Sequence, residues 1–352
     1  MKNLQKPIKS VALLVRPHSP QLKDKVIEIL EIFSKNGIEV VVESENGKIL
    51  GLPKEYRLEG IEKILGVKSI SECAKKSNAK ATKSTATKSA QKSPVSAQRF
   101  APKIDALVSI GGDGTLISAV HKSAGSGLPI FGINMGHLGF LTAINPSELE
   151  GFANDLARGK YVLEKHRLLE GQIRDSKGKV SSPFYALNEI LITKKDISGM
   201  IHIDAMIEGE FCNSYRADGL IIATPTGSSA YNISAGGSVV HPQCQVLLLT
   251  PVCAHSLTQR PMVISDKWGL EFRIHSTHIS PSKDSAKLVK SLNAGDIHDI
   301  EGMIMIDGQQ CASFKKGEVL EVKASTQIEL IQHPKRSYFA VLREKFGLGA
   351  RI

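Results

Sequence analysis

Hydrophobic positions in the first 45 residues follow two different periodicities. The nearly continuous apolar run Val11–Pro17 predicts a buried strand, and Ile38–Glu43 predicts a second one. Between them, Gln21–Asn36 places apolar residues at helical spacing, and Gly37 follows as the expected end of that helix. Strand, helix and strand in this order predict a βαβ unit and a parallel sheet.

The same alternation resumes after residue 103 and then gives way to a different pattern. Ile104–Ile110 and Pro129–Asn134 predict strands on either side of a helix at Leu116–Ala124, and Glu150–Gly159 predicts a further short helix. From Leu163 onward, short alternating runs separated by turn residues predict a β-rich second domain. The predicted strands are Gly171–Arg174, Tyr185–Thr193, Ile201–Ile207, Gly219–Ala223, Val246–Thr250, Gly269–Ile274, Glu318–Val322 and Gln327–Gln332.

These patterns predict three segments along the 352-residue chain. Residues 1–143 form an α/β domain, residues 144–334 form the β-rich domain, and residues 335–352 return to the first domain. Residues 68–103 interrupt the α/β domain with Ser, Thr, Ala and Lys and almost no aromatic residues. Such a composition cannot bury enough apolar surface to offset its ordering entropy, so we expect a flexible insertion.

The insertion also carries most of the net charge of +10. Residues 75–103 contain eight Lys or Arg and no acid, which leaves +2 for the rest of the chain. A nearly neutral body does not predict a dedicated nucleic-acid surface. The insertion is either a solvated loop without a role or a weak electrostatic tether to a polyanion.

The lengths of the apolar runs and the distribution of the cysteines bear on the cellular location of the protein. No run of 18 apolar residues is present, so the sequence predicts no transmembrane helix. The five cysteines are scattered and form no C-x-x-C pair, which argues against disulfides or a structural zinc site. We therefore expect a cytoplasmic protein.

The turn Gly111-Gly112-Asp113-Gly114-Thr115 is the most informative motif of the chain. It lies between a predicted strand and a predicted helix, where backbone N–H groups and the helix N-terminus favour an anion. Glycine has no Cβ to block a phosphate from the backbone. The sequence predicts phosphoryl transfer with Asp113 exposed at the strand end. The alternative is a tight turn in which Asp113 caps the helix.

Two further stretches suit a nucleoside. Arg216-Ala217-Asp218-Gly219 leads into a short strand, and residues 224–237 after it are rich in hydroxyl residues and glycines and contain Tyr231. Such a loop offers many hydrogen bonds and an aromatic face. The pair Asn188-Glu189 interrupts an apolar strand, which is costly unless both groups find partners. An amide beside a carboxylate suits a ribose diol or an adenine edge. A Ser/Gly-rich surface loop and a hydrogen-bonded turn are the plainer alternatives.

Together these three motifs, over roughly residues 104–345, resemble the NAD kinase family, in particular its bacterial branch. The resemblance implies a Rossmann-like α/β domain followed by a β-sandwich domain, and the reaction ATP + NAD → ADP + NADP at the 2′-hydroxyl of the adenosine ribose. It implies Asp113 as the proton acceptor and Gly111, Gly112 and Gly114 beside the phosphates. It implies a dinucleotide site made of Asn188, Glu189, Arg216, Asp218, Ser229, Ala230, Tyr231, Asn232, Ile233, Ser234 and Gln309.

The resemblance also implies a divalent cation, Mg²⁺, accompanying ATP, and a homodimer or homotetramer. Inorganic polyphosphate remains open as a phosphoryl donor in place of ATP. A lipid or sugar kinase that shares only the Gly-Gly-Asp-Gly-Thr turn is the alternative enzyme, and a non-catalytic dinucleotide sensor is the alternative binding protein. The insertion at 68–103 is longer and more basic than the family pattern leads one to expect.

Overall fold

The computed structural model describes residues 4–16, 19–58, 103–123, 126–136, 139–195, 200–256, 258–275 and 301–347. The described residues up to Glu164 and from Glu329 onward form one compact unit, and Lys165–Ile328 forms a second. These boundaries differ from the predicted ones, which follow residues 143 and 334. Residues 68–102 of the predicted insertion lie outside the described residues. No helix within the described ranges is both long and apolar enough to cross a membrane.

The first unit is an α/β structure around a parallel sheet, with β1 at its centre, flanked by β2 and β4; β3 pairs with β2, and β5 with β4. Its elements are β1 (Ser10–Val15), α1 (Lys23–Lys35), β2 (Glu39–Glu43), α2 (Ser44–Ile49), β3 (Arg57–Leu58), β4 (Ala106–Ile110), α3 (Asp113–Ser123), β5 (Ile130–Ile133) and α4 (Leu149–Ala157). Every residue of β1 and β4 is buried, as expected for parallel strands covered on both faces.

The predicted βαβ opening is present. Helix α1 buries Val26, Ile29, Leu30 and Phe33, and Gly37 follows it at a φ of 70°, which glycine adopts without strain. Helix α4 belongs to this unit because Phe152 packs edge-to-face on Phe131 of β5, with the ring centroids 5.6 Å apart. That contact accounts for a first unit that extends beyond residue 143.

The second unit contains two layers of β-strands. Its elements are β6 (Val162–Arg174, from Lys165), β7 (Phe184–Ala186), β8 (Glu189–Lys194), β9 (Ile201–Ile207), β10 (Glu210–Ala217), β11 (Gly219–Ala223), α5 (Tyr231–Ser234), β12 (Val246–Val252), β13 (Met262–Ser265), β14 (Leu270–His275), β15 (Gly302–Ile306), β16 (Gln309–Phe314) and β17 (Val319–Gln332, up to Ile328). One layer has the antiparallel order β13-β12-β11-β8-β15-β16, and the other contains β10-β9-β14-β17 with β6 and β7.

Inward-facing residues of both layers, such as Ile192 and Phe272, share one apolar core. The predicted β-sandwich is therefore confirmed. Four strand predictions were wrong in detail. Gly171–Arg174 is only the end of the longer strand β6. Glu318–Val322 and Gln327–Gln332 are parts of the single strand β17. Tyr185–Thr193 is broken at Leu187-Asn188, where the chain leaves one layer and enters the other.

The last residues of β17 and the C-terminal helix α6 (Tyr338–Phe346) return the chain to the first unit. Leu330 of β17 pairs with Ile130 of β5 in parallel, and Ile331 joins the apolar core of that unit. The predicted C-terminal return is thus a helix preceded by the end of a strand. It places Arg336 close to residues 139–142, as described below.

Candidate active site

The glycine-rich turn lies where β4 ends and α3 begins. Gly111 has a φ of 148°, and a Cβ there would overlap the side chain of Thr115, so only glycine fits. Gly112 and Gly114 are exposed, and nothing lies within 4 Å of the position a Cβ would take. The N–H groups of Thr115 and Leu116 donate to the Gly112 carbonyl. Those of Asp113 and Gly114 have no acceptor within the helix, an arrangement that favours an anion.

Asp113 does not stand exposed at the strand end, and this corrects the sequence expectation. It is half-buried and is the first residue of α3 rather than its cap. Its Oδ2 accepts the N–H of Phe140 at 2.8 Å, and its Oδ1 accepts those of Leu141 at 3.2 Å and Thr142 at 3.1 Å. A carboxylate offers about four lone-pair sites, so one site on Oδ2 stays available.

Gly139 explains how the backbone comes so close to this carboxylate. A Cβ at Gly139 would overlap all three atoms of the Asp113 carboxyl group. The segment 139–142 therefore wraps around the side chain as a backbone cradle. Only glycine can begin it.

In the second unit, Asn188 and Glu189 lie where the chain changes layers. The Asp307 carboxylate accepts the N–H groups of Leu187 at 2.8 Å, Asn188 at 2.8 Å and Glu189 at 3.0 Å. These three bonds replace the sheet pairing that the chain loses at the layer change. The predicted polar interruption of a strand therefore has its partners, and the main one is a side chain that lies 118 residues farther along than Glu189.

Glu189 is an unusual carboxyl group. It is 6% exposed, and its Oε2 is buried with no hydrogen-bond partner among the described residues. Burial raises the pKa of Glu189 to about 8, and the neighbouring Asp307 carboxylate adds to the rise. At neutral pH Glu189 therefore carries a proton and can donate as well as accept a hydrogen bond.

The Ser/Gly-rich segment packs against the same layer change. Thr224 Oγ1 donates to the Leu187 carbonyl at 2.6 Å and accepts the N–H of Gly227 at 3.0 Å. A Cβ at Gly227 would overlap the backbone of Asn188, so this glycine permits the close approach. The structure thus brings the start of the predicted loop to Asn188-Glu189.

The predicted loop residues divide into inward and outward groups. The Asn232 side chain is fully buried, donates to the carbonyls of Ser228 and Ser238, and accepts from Thr250 Oγ1 at 2.6 Å. Tyr231 is 43% exposed and Ser234 is exposed. The other predicted loop residues are partly exposed, namely Ser229, Ala230 and Ile233. Asn232 shapes the loop, and the outward residues are available to a ligand.

Arg216 and Asp218 lie at the other end of the paired strands. Glu189 pairs with Ala223, whereas Thr193 pairs with Gly219, the residue after Asp218. Four residues at ~3.4 Å each separate the two ends by about 14 Å. Within one chain, the structure therefore does not bring Arg216 and Asp218 together with Asn188 and Glu189.

Sequence reasoning missed Lys194 and gave Asp307 no role of its own. Lys194 Nζ lies 2.6 Å from Asp218 Oδ1 and neutralises that carboxylate locally. Asp307 and Gly308 form a two-residue hairpin turn between β15 and β16, with φ values of 46° and 78°. An Asp-Gly pair after alternating hydrophobic residues is a strong hairpin signal and could have located this site. Gln309 follows the turn as an exposed residue of β16.

An α/β unit with a glycine-rich turn at the start of a helix and a β-sandwich unit with a polar loop fit a nucleotide-dependent phosphotransferase. Residues 11–161 match the family model described as ATP-NAD kinase N-terminal domain, and residues 187–298 match that of the ATP-NAD kinase C-terminal domain. NAD kinases of Helicobacter hepaticus and Wolinella succinogenes are each 38% identical, over 99% and 98% of this chain and 99% of each relative. The chain belongs to the NAD kinase family, and its activity is that of an NAD kinase.

Solved structures agree in fold. A yeast NADH kinase complexed with NADH superimposes with a TM-score of 0.75 over 99% of this chain and 90% of that chain, at 21% identity. An NAD kinase from Archaeoglobus fulgidus in complex with ATP gives a TM-score of 0.60 over 96% and 98%, at 20% identity. The predicted fold class and enzyme class are both confirmed.

Proposed function

We propose that Asp113 accepts the proton of the 2′-hydroxyl of the adenosine ribose of NAD while that oxygen attacks the γ-phosphate of ATP. The observation that carries this role is the carboxylate geometry: three backbone N–H groups hold it and leave one acceptor site on Oδ2. In phosphoryl transfer the protein mainly positions groups and screens charge. A fixed carboxylate can align the hydroxyl and take its proton late in the reaction.

The exposed glycines of the turn support a phosphate site. Gly112 and Gly114 leave the backbone uncovered at the start of α3, and we assign them, with Gly111, to the ATP phosphates. The NAD kinase of Archaeoglobus fulgidus was solved in complex with ATP, which agrees with this donor. Polyphosphate would use the same backbone N–H groups, so the choice of ATP rests on the family.

The second unit supports the dinucleotide site. A protonated Glu189 can donate to a ribose or adenine acceptor, and the buried, unpartnered Oε2 has a bond to gain. Asn188 and the outward residues of the loop add amide, hydroxyl and aromatic contacts. We assign Asn188, Glu189, Arg216, Asp218, Ser229, Ala230, Tyr231, Ile233, Ser234 and Gln309 to NAD, with Asn232 holding the loop in shape. The yeast NADH kinase of the same fold was solved with NADH bound, which supports a dinucleotide ligand.

The cation and assembly are also proposals. Within the described ranges, no group of three His, Cys, Asp or Glu could hold a metal ion. We propose Mg²⁺ carried by the ATP phosphates, a mode of binding that needs at most one or two protein carboxylates. When bound, the cation neutralises phosphate charge. We also propose that the protein is a homodimer or homotetramer. We propose a cytoplasmic location because Cys212, Cys244 and Cys253 are free thiols, as is usual in a reducing compartment.

Replacing Asp113 with asparagine tests the central role. We expect kcat to fall at least 10²-fold, because the amide cannot accept the proton, while the KM values for NAD and ATP change little. Product NADP is followed with a coupled dehydrogenase. The matched control is Asp175→Asn, a half-buried turn residue that also accepts backbone N–H groups. Near-wild-type kcat in Asp113→Asn would remove Asp113 from proton transfer.

A further inference from the structure

Three consecutive peptide groups of the backbone cradle point at the Asp113 carboxylate. They join Gly139 to Phe140, Phe140 to Leu141, and Leu141 to Thr142. Each presents its N–H to a carboxylate oxygen. A peptide group is a dipole, so its carbonyl oxygen points away from the carboxylate and needs a donor of its own.

The C-terminal segment supplies those donors. Arg336 Nη2 donates to the carbonyl oxygen of Gly139 at 2.6 Å and to that of Phe140 at 3.1 Å. Gln332 Nε2 donates to the carbonyl of Leu141 at 3.3 Å. Arg336 Nη1 also donates to the carbonyl of Thr142. Each of the three peptide groups therefore bridges Asp113 on one side and Arg336 or Gln332 on the other.

Aromatic packing holds the same segment in place. The ring of Phe140 lies 5.7 Å from that of Phe346 and 6.2 Å from that of Tyr338, both on α6. The cradle is thus fixed by polar and apolar contacts from one stretch of chain. The negative charge of Asp113 favours the arrangement as well. Burial lowers the pKa of Arg336, and among the nearby carboxylates Asp113 does most to raise it again.

We propose that Arg336 is a positioning residue for phosphoryl transfer, which acts through the peptide groups at 139–141 to hold the Asp113 carboxylate where it meets the substrate hydroxyl. The proposal rests on the proposed role of Asp113. Hydrogen bonds in a chain polarise one another, so the guanidinium strengthens the N–H bonds that the carboxylate accepts. Without it, three carbonyl groups lose their donor and the cradle loosens.

The planar guanidinium suits this task better than an ammonium group. It presents five N–H donors in a fixed fork, and three carbonyl oxygens of the cradle use that fork at once. Lysine keeps the charge but gathers its three donors at one atom. Arg336→Lys should therefore restore activity only in part.

The experiment compares Arg336→Ala, Arg336→Lys, Asp113→Asn and the double variant Asp113→Asn/Arg336→Ala. A misplacement of about 1 Å costs about 10²-fold in rate, so we expect that loss of kcat in Arg336→Ala, with the KM values for NAD and ATP within about twofold of wild type. The kcat of Arg336→Lys should lie between that of Arg336→Ala and that of wild type. Added guanidinium should raise kcat of Arg336→Ala. The matched control is Arg158→Ala, which removes an exposed guanidinium of the same unit.

The double variant separates this inference from the role of Asp113. If Arg336 acts through Asp113, the double variant should be no slower than Asp113→Asn alone. A full further loss would overturn the inference, and so would wild-type kcat in folded Arg336→Ala. If Arg336→Ala does not fold, wild-type kcat in Arg336→Lys overturns it. Full activity of Asp113→Asn refutes the proposed proton acceptor instead, whatever the Arg336 variants do.

Discussion

Replacing Asp307 with asparagine should destabilise the second unit specifically. The wild-type carboxylate accepts three backbone N–H groups at the layer change, two at Oδ1 and one at Oδ2. An amide keeps the shape but has one oxygen, so at least one N–H of Leu187, Asn188 or Glu189 loses its acceptor. All three residues are buried, and water cannot replace the lost bond.

The magnitude follows from the bond count. A hydrogen bond to a charged group contributes about 1.5–3 kcal/mol, and a neutral one contributes roughly half as much. One bond lost and two weakened by half give about 3–6 kcal/mol. We therefore expect the free energy of unfolding to fall by about 3–6 kcal/mol.

The single tryptophan, Trp268, lies in the second unit, so its fluorescence reports urea unfolding there. Amide hydrogen exchange at Leu187–Glu189 provides the local readout. The matched control is Asp175→Asn, where the carboxylate accepts two N–H groups in an exposed turn, at a cost below about 1 kcal/mol. Wild-type stability and unchanged exchange in Asp307→Asn would refute the assigned role of this carboxylate.

Three further predictions concern the site. Glu189 has a pKa of about 8 in the folded protein and an ordinary 4.5 in the unfolded chain, so unfolding releases a proton between these pH values. The free energy of unfolding should therefore fall as pH rises through this window, by up to about 1.4 kcal/mol per pH unit. Urea unfolding across pH 4.5–8 should show this slope in wild type and its loss in Glu189→Gln; equal slopes would contradict it. Gly139→Ala should displace Asp113 and lower kcat about 10²-fold. The control Gly151→Ala, which has open space where its Cβ would lie, should keep the wild-type kcat. Equal rates of the two variants in the coupled assay would refute the role of the backbone cradle. Asp218→Ala should raise the KM for NAD more than that for ATP, and equal rises would remove Asp218 from the NAD site.

Helices and strands were predictable wherever the pattern of buried residues is visible within the segment itself. The strands Ile201–Ile207 and Gly219–Ala223 have the predicted bounds because each alternates or runs apolar by itself. Strand β10 was missed because its exposed and half-buried residues give no such pattern. The break at Leu187-Asn188 was also missed, since a carboxylate from a distant hairpin stabilises it.

By itself, the sequence determined the two fold classes, the glycine-rich turn and the identity of Asp113 as the carboxylate at that turn. These depend on periodicity and on glycines at fixed spacing, which are properties of neighbouring residues. Only the tertiary structure decided what surrounds that carboxylate. Its partners lie 27 to 29 residues away. Arg336 donates to the carbonyls of Gly139, Phe140 and Thr142 from 194 to 197 residues away. Hydrogen bonds over such separations exist because packing brings the C-terminal segment back to the first unit.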